Sequence, residues 1–167
     1  MTTAMTLPEQ TAIILHAAQC GFLQPPDVQR WALSVIECTP TPPLWIIDLA
    51  VPPITHMADI FPVLKEHACP LSLRTKLQVI IMRHATGAMS LPETLPKLFR
   101  AAILDNVNPV QPENEALDSA LVEWDCQADL DVISEQLASR FHAIFQDYLA
   151  DASDVAAVLR TALSNAA

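Results

Sequence analysis

Glycine is scarce in this chain: only Gly21 and Gly87 occur among 167 residues, whereas 14 residues are proline. A β-sandwich needs glycine at many of its turns, because tight hairpins require backbone conformations that other residues rarely adopt. Prolines between apolar segments instead favour helices joined by short, stiff connections. The scarcity also excludes the Walker loop and the dinucleotide fingerprint, since both need clustered glycines to bring backbone N–H groups to phosphate. We therefore predict an all-α protein.

Apolar residues recur at helical spacing along most of the chain, which predicts one compact domain, residues 1–167, built from antiparallel helical hairpins. We expect eight or nine helices. In the first hairpin, Gly21 ends one helix, Pro25 and Asp27 begin the next, and Trp31 is interpreted as a core residue.

Further helices are predicted along the chain from apolar stripes and capping residues. A short element lies within residues 39–53. The next helix, residues 55–68, should have a kink or an opened second half at Pro62. Later helices cover residues 71–87, 91–106, 112–125 and 129–151, and Ser153 caps a last helix. The longest helix is expected to bury Leu130, Ile133, Leu137, Phe141, Ile144 and Tyr148. The segment VNPVQP, residues 107–112, is the best linker, and it could divide the chain into residues 1–106 and 112–167.

Charge is distributed unevenly. Residues 74–100 carry a net charge of +4, whereas residues 105–167 carry twelve acidic side chains against Arg140 and Arg160, and the whole chain has a net charge of −10. Such a surface repels nucleic acid and anionic membranes, so neither is an expected ligand, but it attracts a basic protein. The alternative is that the acidity only maintains solubility.

No apolar run approaches the roughly 18–20 residues of a membrane span, and the N-terminus lacks the basic start and apolar middle of a signal peptide. Cys20, Cys38, Cys69 and Cys126 lie far apart and are interpreted as small buried hydrophobes of an intracellular protein. We therefore expect a cytoplasmic protein.

The candidate partner-binding residues lie in the acidic last third of the chain. They are Glu113, Glu115, Asp118, Glu123, Asp125, Asp129, Asp131 and Glu135. Clustered carboxylates could also bind Mg²⁺ or act as acid and base. Glu123 and Asp125, however, are two residues apart and point to different sides of a helix, so the cluster is more simply interpreted as a solvated acidic junction. Binding of a basic partner is the leading functional alternative, ahead of catalysis.

Two other groupings could hold a metal. His16 and Cys20 are four residues apart on one predicted helix, and His67 and Cys69 are close together near Pro70. Two ligands do not make a site, and the chain contains no recognisable metalloenzyme or nucleophile motif. We therefore predict no metal, no cofactor and no catalytic residue.

The stretch GFLQPPDVQRWALSVIE, followed by PPLWIIDLA, resembles small helical bacterial proteins of the immunity-protein-like kind associated with polymorphic toxin loci. The matching residues are Gly21, Leu23, Asp27, Val28, Trp31, Ala32, Pro43, Asp48, Leu49 and Ala50. The resemblance covers about thirty residues and implies a helical protein that binds a protein partner.

The leading hypothesis is a non-enzymatic, cytoplasmic protein that neutralises or chaperones a basic partner through its acidic C-terminal third. One alternative is a helical enzyme with a carboxylate or histidine pocket. The other is a structural homodimer, in which surplus apolar stripes pair between two copies.

Overall fold

A computed structural model of the chain describes residues 5–51, 54–105, 114–127 and 129–163. In these ranges it contains nine α-helices and one π-helical turn, and no β-strand. The prediction of an all-α protein with eight or nine helices is therefore confirmed for this part of the chain. None of the described helices is long and apolar enough to cross a membrane.

The helices fall into two compact units, Met1–Leu71 with Asp154–Ala167, and Ser72–Ser153. The first unit contains α1 (Leu7–Gln19), α2 (Pro25–Cys38), α3 (Leu44–Ala50), α4 (Met57–His67) and nearly all of α9 (Ser153–Leu163). The second contains α5 (Leu73–Ala85), α6 (Leu91–Phe99), the π-helical turn (Arg100–Leu104), α7 (Glu115–Asp125) and α8 (Glu135–Leu149). The predicted linker at residues 107–112 lies outside the described residues, and the single-domain organisation stays a prediction.

Both glycines end helices, as the sequence predicts. Gly21 has a φ of +78° and donates its N–H to Ala18 O at 3.0 Å, and Phe22 donates to Ala17 O at 2.9 Å. These two bonds form a Schellman motif, which satisfies carbonyls that the end of α1 would otherwise leave unpaired. Gly87, with a φ of +75°, ends α5 in the same way.

In the first unit, α1 packs mainly against α4, and α2 packs mainly against α3. The two helices of the predicted first hairpin, α1 and α2, therefore pack mainly against other helices and not against each other. Trp31 is 1% exposed, which confirms its interpretation as a core residue. On α3, Ile46 is buried and Asp48 is exposed. Trp45 is half-buried and stacks on His67 with 4.2 Å between ring centroids.

Helix α4 continues through Pro62, so of the two predicted alternatives, a kink or an opened second half, the opened second half does not occur. Proline lacks an N–H and therefore removes one backbone hydrogen bond from the helix interior. Ile60 and Leu64, on either side of Pro62, are both fully buried. Their burial stabilises the helical conformation by about 1.5–3 kcal/mol per side chain, enough to offset the lost bond.

In the second unit, α5 packs against α6 and α8, and α7 packs against the same two helices. Five consecutive residues of α5 are buried: Leu77, Gln78, Val79, Ile80 and Ile81. Consecutive positions cover most of the circumference of a helix. Helix α5 is therefore contacted on more than one side. Ser72 Oγ accepts a hydrogen bond from Thr75 N at 3.1 Å and so caps the start of this helix.

Helix α8 begins at Glu135, whereas the sequence predicted a start at residue 129. Ser134 Oγ accepts a hydrogen bond from Leu137 N at 3.2 Å, so Ser134 caps the helix and sets its first residue. Leu130 is consequently outside the helix and exposed, contrary to its expected burial. Within the helix, Leu137, Phe141 and Tyr148 are buried as predicted, and Phe145 is buried where Ile144 was expected.

Side chains of α5 complete the C-terminal end of α8. The last four carbonyls of a helix have no partner within it. Here Arg74 donates to Asp147 O at 3.2 Å and Gln78 donates to Tyr148 O at 3.1 Å. Ala150 N donates to Gln146 O, and Ala152 N donates to Leu149 O. Every terminal carbonyl of α8 therefore has a donor.

Candidate partner-binding surface

Seven of the eight acidic residues predicted to bind a partner belong to the described part of the second unit; Glu113 lies outside it. Four of the seven are on α7, namely Glu115, Asp118, Glu123 and Asp125. Asp129 and Asp131 lie in the α7–α8 connection, residues 126–134, and Glu135 is the first residue of α8. All seven are exposed except Asp118, which is half-buried.

Three of these carboxylates share one face of α7 with an apolar residue. Glu115, Asp118, Val122 and Asp125 are spaced by 3, 4 and 3 residues, and this spacing aligns them along the helix. We call these four residues the α7 stripe. The opposite face packs inward through four buried residues, Leu117, Ala120, Leu121 and Trp124. The core therefore orients the stripe away from the interior.

Glu123 does not belong to the stripe. It forms an ion pair with Arg140 of α8, and about 200° of helix rotation separates it from Asp125. The sequence-based expectation that Glu123 and Asp125 point to different sides is therefore confirmed. Because its charge is matched by Arg140, Glu123 adds little to the negative potential of this surface.

The position of Asp125 is unfavourable for folding. Asp125 is the last residue of α7, and the last turn of this helix contains no basic side chain. A carboxylate at the negative end of a helix dipole costs about 0.3–1 kcal/mol. At the other end, Glu115 and Asp118 occupy the first turn, where negative charge is favourable.

Large apolar side chains are exposed among these carboxylates. Val122 is 49% exposed within the stripe, and Leu130 and Val132 of the α7–α8 connection are 41% and 65% exposed. The exposure of these apolar side chains was not predicted from the sequence, which placed Leu130 in the core. The capping pattern at Ser134 was the available signal, because a helix that begins after Ser134 leaves residues 129–133 outside it.

The α7–α8 connection is held in place by its own hydrogen bonds. Trp124 Nε1 donates to Leu130 O at 3.0 Å, and Asp131 N donates to Asp129 Oδ1 at 3.0 Å. The first bond ties the connection to the buried indole of α7. The exposed Leu130 and Val132 therefore extend from an anchored backbone, which reduces the entropy that a partner would have to remove on binding.

The arrangement of the carboxylates is not that of a metal centre. Among the residues that the structure describes, no group of three or more His, Cys, Asp or Glu side chains is placed to hold a metal ion. Glu123 and Asp125, the carboxylates considered for acid–base chemistry, diverge on α7. The structure thus places Glu115, Asp118 and Asp125 on one face of α7 and Glu123 on another.

The same unit also contains a groove that includes two histidines. It is a groove of about 410 Å³ lined by His84, Leu91, Ala138, Ser139, His142 and Phe145. His84 Nδ1 lies 3.0 Å from Met89 O, and the His84 ring meets Phe145 edge-on with 5.5 Å between centroids. Donation from Nδ1 to this carbonyl makes Nε2 the acceptor nitrogen of His84.

Comparison with known proteins adds no relative: no family model, no curated protein and no solved structure matches this chain. The resemblance of residues 21–50 to immunity-protein-like proteins stays a prediction. Function is therefore argued from the chemistry of the surface.

Proposed function

We propose that this chain is a non-enzymatic, cytoplasmic bacterial protein that binds a basic protein partner, in the manner of an immunity protein or a chaperone. The observation that carries the proposal is the α7 stripe, in which an exposed Val122 lies between carboxylates of the same helix face. The acidic residues of the α7–α8 connection extend the negative charge.

Each component of this surface has a role in binding. The carboxylates speed encounter with a cationic surface, and this effect fades as salt screens the charges. Val122, Leu130 and Val132 supply apolar area that gains free energy when a partner covers it, at about 25 cal/mol per Å². An acidic surface kept only for solubility would not need exposed valine and leucine among its charges.

The test compares two charge-reversed baits with the wild-type chain. The stripe variant carries Glu115→Lys and Asp125→Lys, and the control variant carries Glu37→Lys and Asp48→Lys, both exposed positions of the first unit. The two variants have the same net charge. In the stripe variant, the lysine at residue 115 is unfavourable at the start of α7 and the lysine at residue 125 is favourable at its end, so the effects on stability offset each other.

We expect the wild-type and control baits to capture the same basic protein from a lysate of the native bacterium at low salt. The stripe variant should lose it, and its association rate with the purified partner should fall severalfold at low salt and converge with the wild-type rate at high salt. Equal capture by the stripe and control variants would contradict the proposal, as would the absence of any specific partner at either salt concentration.

One alternative has a specific observation in its favour: the groove that contains His84 and His142 would serve a helical enzyme. Imidazole side chains are common general acids and bases in enzymes. A broad hydrolase screen of the wild-type chain beside a His84→Ala variant tests this function. Activity that requires His84 would favour the enzyme, whereas activity equal in both proteins would remove the groove from consideration.

A further inference from the structure

We propose that the groove lined by His84 and His142 binds a small, neutral aromatic alcohol. The groove lies at the C-terminal end of α5, the start of α6 and the middle of α8, all of them helices of the second unit. The inference assigns the groove a ligand and no reaction, and it does not depend on the α7 stripe.

The size and the apolar part of the groove suit a small ring compound. Its volume of about 410 Å³ lies within the range of roughly 300–1,000 Å³ that is usual for small-molecule sites. Leu91 and Ala138 supply aliphatic surface, and Phe145 supplies an aromatic ring. Aromatic rings prefer edge-to-face or offset contacts, and Phe145 already makes an edge-on contact with the His84 ring. An aromatic ring of a ligand would extend this arrangement.

The polar side chains of the groove leave hydrogen-bonding positions for a ligand. His84 Nδ1 faces the carbonyl oxygen of Met89, which can only accept, so Nδ1 carries the proton and Nε2 of the neutral ring is an acceptor. Ser139 and His142 are three residues apart on α8, and both are exposed to solvent. A hydroxyl group of a ligand can donate to His84 Nε2, and it retains lone pairs for the Ser139 hydroxyl or for water.

The absence of formal charge in the lining disfavours an ionic ligand. None of the described residues that line the groove is Asp, Glu, Lys or Arg. A carboxylate or phosphate would lose water without gaining a cationic partner, and the net charge of −10 on the chain would repel it. An ammonium group would likewise find no carboxylate there. The lining therefore selects a neutral molecule with an apolar ring and a hydroxyl donor, which is the chemistry of a phenol.

The edge of the groove between α5 and α6 is fixed by hydrogen bonds of the protein itself. The 3.0 Å contact between His84 Nδ1 and Met89 O ties α5 to the residues that precede α6. Ser90 N donates to Glu93 Oε2 at 2.8 Å, and Glu93 N donates to Ser90 Oγ at 3.4 Å, a capping box that sets the start of α6. A ligand therefore has few further groups to order, which lowers the entropic cost of binding.

The test is an NMR titration of the isotope-labelled full-length chain with three compounds that share one ring: para-cresol, its methyl ether and para-toluate. We expect para-cresol to shift the amide resonances of residues 84, 138, 139 and 142 saturably. The methyl ether lacks the hydroxyl donor and should bind about two- to tenfold more weakly, the usual effect of one hydrogen bond. The anionic para-toluate should bind most weakly of the three.

Two variants locate the ligand in the groove. His84→Phe keeps a ring beside Phe145 and removes the acceptor nitrogen, so it should bind para-cresol and the methyl ether equally. The matched control His56→Phe, at an exposed histidine of the first unit, should keep the wild-type preference. Ala138→Leu places a larger side chain in the groove and should abolish binding of para-cresol, and this comparison decides the question if His84→Phe does not fold.

The proposal is overturned if para-cresol shifts no amide of the groove saturably, or if the wild type or His84→Phe departs from the expected preference between para-cresol and the methyl ether. It is also overturned if Ala138→Leu binds para-cresol like the wild type. The stripe variant, with Glu115→Lys and Asp125→Lys, should bind para-cresol normally whether or not it captures a basic partner. This proposal and the proposed partner binding therefore fail separately.

Discussion

The contact between Arg74 of α5 and Asp151, two residues beyond α8, allows a quantitative test of how the second unit is held together. Arg74 Nε lies 3.1 Å from Asp151 Oδ2, and its Nη2 lies 3.2 Å from Oδ1, a bidentate pair. The same guanidinium lies over the Tyr148 ring, 4.7 Å from its centroid. Gln78 Nε2 donates to Asp151 Oδ1 at 2.7 Å. The perturbation is a double-mutant cycle with Arg74→Leu and Asp151→Asn.

The expected magnitude follows from exposure and geometry. The Arg74 and Asp151 side chains are 32% and 58% exposed, so solvent screens the pair, and its coupling energy should be about 0.5–1 kcal/mol. Arg74→Leu should cost more in total, about 2–3 kcal/mol, because it also removes the cation–π contact and the hydrogen bond to Asp147 O. Each 1 kcal/mol should lower the Tm by about 2–4 °C in a chain of this length.

The coupling energy between Arg74 and Asp151 should decrease at low pH. The hydrogen bonds from Arg74 hold the pKa of Asp151 below its ordinary value of 3.8. A carboxyl group whose pKa is lower in the folded state stabilises the fold above its unfolded pKa, and it loses that contribution as the pH falls through the folded pKa. The coupling energy should therefore have its full value at neutral pH. It should be lost as the pH falls below 3.8 and through the lower pKa of the folded state.

The assay is urea unfolding, followed by far-UV circular dichroism, of the wild type, both single variants and the double variant. The control cycle is Arg100→Leu with Asp105→Asn, a 3.4 Å pair whose side chains are 75% and 63% exposed, and its coupling should be close to zero. The reasoning is refuted if the Arg74–Asp151 coupling equals that of the control, or if it persists unchanged in acid.

Three further substitutions test local features of the fold. Gly21→Ala should destabilise the chain by about 1–2 kcal/mol in thermal unfolding, because residue 21 has a left-handed φ. Gly21→Asn should cost less, since asparagine adopts this conformation more readily than alanine. Equal losses of stability in the two variants would contradict the backbone explanation. Ser134→Ala should cost about 1 kcal/mol through loss of the α8 cap, and Ser134→Asp should restore stability. Trp124→Phe should speed amide hydrogen exchange in residues 129–134, since it removes the bond to Leu130 O; unchanged exchange would show that the connection is anchored by other contacts.

Features that depend on near neighbours in the chain were predictable. The ends of α1 and α5 follow from Gly21 and Gly87, because only glycine adopts the left-handed conformation of the Schellman motif at little cost. The buried stripe of α7 follows from helical spacing. The start of α8 was predictable in principle from Ser134, but the apolar Leu130 and Ile133 extended the pattern and led to a start that was too early.

The candidate site was predictable only in composition. The sequence shows that residues 105–167 are acidic, and periodicity shows that Glu123 diverges from Asp125. It does not show that Arg140 neutralises Glu123, since that pair is formed by α7 and α8 and depends on how these helices pack. The exposure of Leu130 and Val132 likewise depends on the path of the α7–α8 connection, which the buried Trp124 determines through its hydrogen bond.

By itself, the sequence determined that this protein is helical and acidic, where most of its helices begin and end, and which face of each is apolar. These properties depend on residues within one or two turns, where backbone conformation and side-chain spacing act directly. Only the tertiary structure decided which helices pack together and which carboxylates, such as Glu123 and Asp151, form ion pairs with a distant arginine. The contact between Arg74 and Asp151 spans 77 residues, and such a contact follows from the packing of α5 on α8, which no local pattern encodes.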